Sequence, residues 1–413
     1  MIRDRRAILA LLTALNFLNY IDRAVIAAVL KPMQGELGLS NFEAGLPSSA
    51  FLIGYFLVAP LFGARADKGS RKHMITIGVI VWSVGTVASG LVAGFGQLMA
   101  ARAIVGVGEA SFGVLAQTII DDVTPKDRKG MALAIFFSAI PLGYALGYMI
   151  GGALTKHYGW RTAFYVVGAP GIVIALSCLL IAEPTRKLAD ARAKLLDGLR
   201  ACIRLPLFRR AVAGYCAYTG ALGAFSYWAP HFLLDRFPGT LDDETANRWF
   251  GIVLLAAGAI GTFVGGRWMD AQLRRLPAAP AGAPFDAPVR KATVNVMLRV
   301  CAIGMAIAAP FTVACFVMPS APGFFALAFV AELGLFLSTS PISAACMHSV
   351  PEERRASGVA ASIFAIHLLG DLWSTAVLGL LQDVLPVLLA MMALPLTFAA
   401  TAVIWWPRRR EAE

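Results

Sequence analysis

"GARADKGSRK" (Gly63 to Lys72) and "GRWMDAQLRR" (Gly266 to Arg275) read alike: Gly, then Asp four residues on, then Arg four further, then a second cation. Each follows the second long apolar run of its half of the chain. A second pair recurs in the same way. "PKDRKGMALA" (Pro125 to Ala134) and "PEERRASGVA" (Pro351 to Ala360) share Pro, an Arg three residues on, a further cation and a small residue, each before the fifth run of its half. Two coincidences in matched places predict internal duplication. The second pair lies farther apart than the first, and the Pro/Ala-rich "LPAAPAGAPFDAP" (Leu276 to Pro288) supplies the difference.

The 413 residues are 58% hydrophobic and 15% charged, with a mean hydropathy of +0.70, unlike a soluble domain of this length. Runs near the roughly 20 residues that cross a bilayer as helix occur at about 7–29, 43–63, 73–94, 97–120, 131–154, 162–182, 211–234, 248–266, 296–318, 322–345, 357–381 and 385–406. They contain Gly and Pro but no long alternation, which predicts an all-α membrane protein of twelve spans and excludes a β-barrel. The first run follows basic residues, as a signal peptide does. It is too long, holds an acid and lacks a clear small-x-small cleavage site, so it reads as the first helix.

A net charge of +11 raises the question of nucleic acid, and the placement of the cations excludes it. Among Lys and Arg, only Lys31, Lys156, Arg161, Arg236 and Arg248 fall in odd-numbered connections, and only Arg23 and Arg102 lie within spans. All others occupy the termini and even-numbered connections. The positive-inside rule then puts both termini in the cytoplasm of a multi-pass protein of the plasma (inner) membrane. The longest basic connection, Ala182 to Arg210, sets Leu188, Leu195, Leu199 and Ile203 near one helical face, which predicts a helix along the interface. The expected organisation is a six-helix bundle over 1–182, a linker over 183–210 and a second six-helix bundle over 211–413. Six scattered cysteines have no metal-like spacing and read as small buried hydrophobes. No metal and no cofactor are expected.

Charges inside spans are costly and mark candidate sites. "NFLNYIDRAV" (Asn16 to Val25) places Asp22 and Arg23 in span one, and "RAIVGVGEASF" (Arg102 to Phe112) places Arg102 and Glu109 in span four. Arg102 and Glu109 are seven residues apart, about 700° of helix and roughly 10 Å of rise, so they share a face. Counted from the outer side, Asp22 and Arg102 lie at similar depth, so Asp22 is expected to pair with Arg102 or with its neighbour Arg23. Glu109 has no cation near it in sequence. Desolvation favours a neutral carboxyl and a nearby Arg favours a charged one, so Glu109 reads as the proton carrier and Asp22 as the switch. Arg23 joins this network as a gating residue. Arg102 also suits a phosphate or carboxylate headgroup. His367 and Asp371, four apart in span eleven, form a candidate polar contact for substrate. Tyr20, Phe112, Tyr144, Tyr148 and Trp228 are candidate lining residues, and Glu332 in span ten is a lone acid at depth. In the repeated loops, Gly63, Asp67 and Arg71, with Gly266, Asp270 and Arg274, read as charge latches, each Asp accepting from an adjacent Arg or a helix N-terminus.

These motifs resemble the major facilitator superfamily. Residues 63–72 are similar to its loop 2–3 signature, with Ser70 where Gly is usual and Gly69 one place early. Residues 102–112 are similar to its span-four Arg-Gly motif. "GYALGYMIGG" (Gly143 to Gly152) is similar to its span-five antiporter motif, with Tyr148 in place of the usual Pro, a departure that weakens antiport. The closer resemblance is to the Spinster family, through "NYIDR" (Asn19 to Arg23), "GVGEAS" (Gly106 to Ser111), "SYWAPHFL" (Ser226 to Leu233) and "HLLGDLWS" (His367 to Ser374). It implies the major facilitator fold, two pseudo-symmetric six-helix bundles. It also implies proton-linked movement of lysolipid or sphingoid amphiphiles by alternating access, with the span-one acid and the span-four Glu serving the proton. Expected partners are that amphiphile, protons and the bilayer, with the protein a monomer.

The chain has no H-E-x-x-H, no G-x-S-x-G and no metal-ligand cluster, which argues against an intramembrane enzyme. It has no Walker loop to drive a pump with ATP, and no filter motif or charge ring for a channel. Gly106-x-Gly108 echoes a nucleotide loop but sits inside a span, where glycines serve close helix packing. The competing functions are a carrier of drugs or small organic solutes, a uniporter and a receptor.

Overall fold

Apolar runs bounded by capping residues fold as the helices they predict. The computed structural model describes residues 2, 4–66, 69–125, 128–182, 202–277, 288–351 and 354–407. Most of the expected interfacial helix and of the Pro/Ala-rich connection lies outside them. The first six spans are α1 (Arg5–Ala28) with a short α2 (Leu30–Leu37) after it, α3 (Asn41–Ala66), α4 (Arg71–Ser89), α5 (Phe95–Val123), α6 (Lys129–Tyr158) and α7 (Trp160–Ser177). The other six are α8 (Pro206–Arg236), α9 (Asp243–Leu273), α10 (Pro288–Val317), α11 (Ala321–Phe336) continued by α12 (Thr339–His348), α13 (Arg355–Ala365) joined to α14 (Leu372–Val384), and α15 (Val387–Met391) continued by α16 (Ala393–Trp405). Among the described residues, eleven spans are long and apolar enough to cross a membrane. The twelfth, α8, has the length at 31 residues, but Gly214, Thr219, Ser226 and His231 make it less apolar.

Local chemistry sets the ends. Ser40 and Glu43 open α3 as a capping box: the Glu43 N–H donates to Ser40 Oγ at 3.2 Å and the Ser40 N–H to Glu43 Oε2 at 3.0 Å. Asp242 opens α9 by accepting from the Thr245 N–H at 2.8 Å. Gly38, with φ 63°, closes α2 in the left-handed region.

The chain forms two compact units, Met1–Leu188 with Tyr227–Leu255, and Ala189–Ser226 with Ala256–Glu413. In the first, α3 packs on α5, α1 on α6, and α4 on both α5 and α7. In the second, α10 packs on α11, α12 and α16. The third span of each half thus lies against the fourth and sixth of its own half. A glycine-to-glycine approach between the third and fourth spans is duplicated too. A Cβ on Gly78 would stand 2.6 Å from the Gly108 carbonyl oxygen, and one on Gly304 would stand 2.5 Å from that of Gly334. Gly78 to Gly304, Gly108 to Gly334 and Pro125 to Pro351 are equal steps along the chain. All six cysteines are buried free thiols.

Candidate functional site

Two glycines seat the fourth span. A Cβ on Gly106 would stand 1.9 Å from the Phe51 carbonyl oxygen of α3, and one on Gly108 would stand 2.4 Å from the Trp82 nitrogen of α4. Only hydrogen at these positions lets α5 lie between its neighbours, and Glu109 follows directly on this contact. Arg23 Nε donates to Glu109 Oε2 at 2.8 Å, and Nη2 forms an ion pair with the same oxygen at 2.8 Å. Asp22 Oδ2 accepts from Thr86 Oγ1 at 2.7 Å, while Asp22 Oδ1 stands 3.5 Å from Arg102 Nη1. That second distance is an ion pair without a hydrogen bond, longer than a charge-assisted contact.

The Asp22–Arg102 pairing expected from equal depth is therefore present. Glu109 is not without a cation, however, and Arg23 is not merely Asp22's neighbour. Side chains in a helix lean toward its N-terminus. The first and fourth spans run in opposite directions, so Arg23 and Glu109 lean toward each other and close a gap that Cα depth alone leaves open.

Aromatic rings surround the cations. The Arg23 guanidinium lies 5.1 Å from the Tyr20 ring centroid and 4.8 Å from that of Phe51, and Arg102 lies 5.9 Å from the same Phe51 ring. Tyr20 meets Tyr144 at 5.4 Å. Both tyrosines are half-buried, as a lining role needs. Phe112, Tyr148 and Trp228 are fully buried. They pack on Trp82 and Phe136, on Phe250, and on Tyr227 and His231, respectively. Packing, not lining, is their role in this conformation.

In the second unit, His367 Nδ1 and Asp371 Oδ2 are 2.8 Å apart. The turn that carries them, Ile366–Asp371, is π-helical and not α-helical. It coincides with the place where a Cβ on Gly370 would stand 2.6 Å from the Cys216 carbonyl oxygen of α8. Such turns are frequent at functional sites, and residue spacing does not announce them. Glu332 is fully buried in α11.

Of the latch residues, Asp67 lies outside the described residues and Gly63 belongs to α3. Arg71 is buried and pairs with Asp122 at 2.7 Å, and its Nη1 donates to Thr118 Oγ1 at 3.1 Å. Asp122 is a partner the motif did not name. Gly266 and Asp270 lie on α9 and Arg274 just beyond it, with Asp270 and Arg274 exposed.

A polar seam at the end of the first unit away from the chain termini was not read from sequence. Lys31 Nζ and Asp235 Oδ1 are 2.5 Å apart, His231 Nε2 and Gln34 Oε1 2.8 Å, and Lys156 Nζ and Asp242 Oδ2 2.9 Å. Asn247 Nδ2 donates to the Ala28 carbonyl at 3.1 Å and Tyr227 Oη to that of Ala44 at 2.7 Å. Every bond joins residues 227–255 to the first six spans. The available signal was the scarcity of cations in the odd-numbered connections: Lys31 and Lys156 are two of only five, and acids flank the α8–α9 turn. The Thr245 N–H and then Lys156 hold the Asp242 carboxyl down at about 2. Nearby, hydrogen bonds from Trp160 and then Arg161 hold Glu36 below the usual carboxylate range.

The chain is similar to known proteins along most of its length. The profile of the Major Facilitator Superfamily matches residues 12–375. "Protein spinster" of Drosophila melanogaster is 32% identical over 89% of this chain, and the chain spans 60% of the fly protein's length. "Probable sphingolipid transporter spinster homolog 1" of Arabidopsis thaliana is 30% identical over 90% of this chain and 82% of the plant protein. The crystal structure of a bacterial homologue of the human lysosomal transporter Spinster, inward-facing and unoccupied, superposes with a TM-score of 0.83 at 24% identity. It covers 97% of this chain and 96% of that one, a likeness of fold.

Proposed function

The chain belongs to the major facilitator superfamily and, within it, to the Spinster-type transporters, and on that premise we propose that it couples protons to the movement of an anionic, lipid-like amphiphile. It is a multi-pass integral membrane transporter and not an enzyme. The observation that carries the proposal is the quartet of Asp22, Arg23, Arg102 and Glu109. Two cations and two anions make it neutral as a set, as a low-dielectric interior requires.

A proton on Glu109 leaves Arg23 without its counter-ion, and an uncompensated buried charge costs about 3–5 kcal/mol. An anionic headgroup supplies the missing charge, so proton and substrate favour each other. Arg23 is the open member of the set, its side chain 23% exposed against 0% for Glu109. Arg102, held by an ion pair without a hydrogen bond, is the second anchor. Phosphate and carboxylate both match guanidinium geometry, and Tyr20, Tyr144 and Phe51 offer an apolar wall beside them. A lysolipid or a sphingoid-type lipid combines these features. His367 and Asp371 are assigned a polar contact with substrate from the second half. Asp67 and Asp270 are assigned to gating, with Arg71 and Arg274, in a monomer of two six-helix bundles whose termini are cytoplasmic.

Uptake into liposomes of a lysophospholipid, a sphingoid phosphate, a fatty acid and a small organic anion, with and without a pH gradient, tests this. Gradient-driven accumulation of an anionic amphiphile is expected. Accumulation of neutral or cationic drugs in its place would support the drug-carrier alternative.

A further inference from the structure

The two halves repeat a glycine crossing, and each carries a buried glutamate beside it. Glu109 follows Gly108 by one residue; Glu332 precedes Gly334 by two. The two acids thus lie within about one turn of the same level in equivalent spans. Their surroundings differ. Glu109 is bound by Arg23, and Arg102 lies in the same helix. At the step that carries Gly108 to Gly334, Arg102 becomes Ala328.

Glu332 is 0% exposed. It is the sole charged residue of "APGFFALAFVAELGLF", and neither of its carboxylate oxygens has a hydrogen-bond partner among the described residues. On α10, the helix packed against α11, the titratable group that feels it is the thiol of Cys315. Arg290, Lys291 and Arg299 of α10 lie on the far side of the Gly304–Gly334 crossing. No cation faces Glu332 among the described residues.

An ionised carboxylate in such a place lacks both counter-charge and hydrogen bonds, and a bound proton removes that penalty. A purely structural role is served better by Leu, which fills the site with no polar atom to satisfy. We propose that Glu332 is a proton-exchanging carboxyl of the second half, holding a proton where the first half holds arginine. It exchanges when α10 and α11 admit water, so the carrier has a protonatable group on each side of its pseudo-symmetry. This goes beyond the Asp22–Glu109 assignment and does not depend on it.

The test uses the intact protein in liposomes. Dicyclohexylcarbodiimide, an apolar reagent, attacks the protonated form of a carboxyl. The carboxyl proton passes to a carbodiimide nitrogen, the oxygen bonds to its central carbon, and rearrangement leaves a stable N-acylurea. Peptide mapping is expected to find the adduct on Glu332, diminishing as pH rises, with a water-soluble carbodiimide leaving Glu332 unmodified. Glu332→Gln is expected to keep downhill exchange while gradient-driven accumulation falls at least tenfold and loses the parent's pH profile. Glu332→Leu, which packs without a polar atom, is expected to fold and to show the same transport defect. Absence of the adduct from folded protein overturns the proposal. So does either variant accumulating substrate with the parent's pH profile. Labelling is read without transport, so it decides the matter even if both variants fail to fold, and whatever the substrate is.

Discussion

Replacing Glu109 by Gln removes the anion that accepts a hydrogen bond from Arg23 Nε at 2.8 Å and pairs with its Nη2 at the same distance. Breaking a buried pair from one side costs about 3–5 kcal/mol. Arg23 retains 23% side-chain exposure, so water compensates part of its charge and the lower end, about 3 kcal/mol, applies. Arg23→Gln strands Glu109, whose side chain is 0% exposed, and belongs at the upper end, about 5 kcal/mol. The double variant strands neither group, so its cost falls well short of the sum, with a coupling of about 2 kcal/mol or more. Denaturation in mild detergent, run on the parent, both single variants and the double, measures the cycle. The same Glu109→Gln protein is expected to exchange substrate downhill and to fail to accumulate it under a pH gradient. Additive costs, within about 0.5 kcal/mol, would refute the pair as an energetic unit. Undiminished accumulation would remove Glu109 from the proton path.

Gly106→Val forces a side chain onto the Phe51 carbonyl, where even a Cβ would stand 1.9 Å away. A loss of at least about 1–3 kcal/mol is expected, read as a lowered melting temperature; an unchanged one would contradict the close packing. Lys31→Ala with Lys156→Ala removes both cations of the polar seam. The combined change is expected to raise labelling of a single cysteine at position 247, with no change if the seam holds nothing together. The Asp242 carboxyl is held at about 2 against an ordinary 3.8. Its contribution is therefore present above 3.8 and lost as pH falls through about 2. Labelling at position 247, taken at each pH relative to an exposed reference cysteine so that thiolate reactivity cancels, should stay flat from pH 5 to 8 and rise only in stronger acid; a rise near neutrality would contradict the assignment to Asp242.

Much of this molecule was legible in its sequence. Twelve apolar runs became helical spans because a bilayer leaves a backbone that lacks the alternation of a closed barrel no alternative to helix. The Asp22–Arg102 pair followed from equal depth, and the glycines of span four served packing, as their place inside a span required. The Arg23–Glu109 pair was not legible, because residue counting fixes Cα positions while the two side chains lean toward each other along antiparallel helices. The π turn at 366–371 was hidden for a similar reason. His367 and Asp371 meet in either helix type, and the cause lies in a contact between Gly370 and α8, remote in sequence. The polar seam required knowing which loops meet, and charges in separate loops carry no such information. The short α2 went unread because its eight residues are too few to show a helical period.

The central claim, that proton and amphiphile move as linked cargo, is tested most directly by watching the proton itself. Liposomes holding the protein and a pH-sensitive dye, with no pH gradient imposed, receive a lysophospholipid or a sphingoid phosphate on one side. The coupled carrier moves protons in response to the lipid gradient, the dye signal collapses in a protonophore, and Glu109→Gln abolishes it while lipid still crosses. Lipid movement by the parent protein with no proton movement at all would contradict the account.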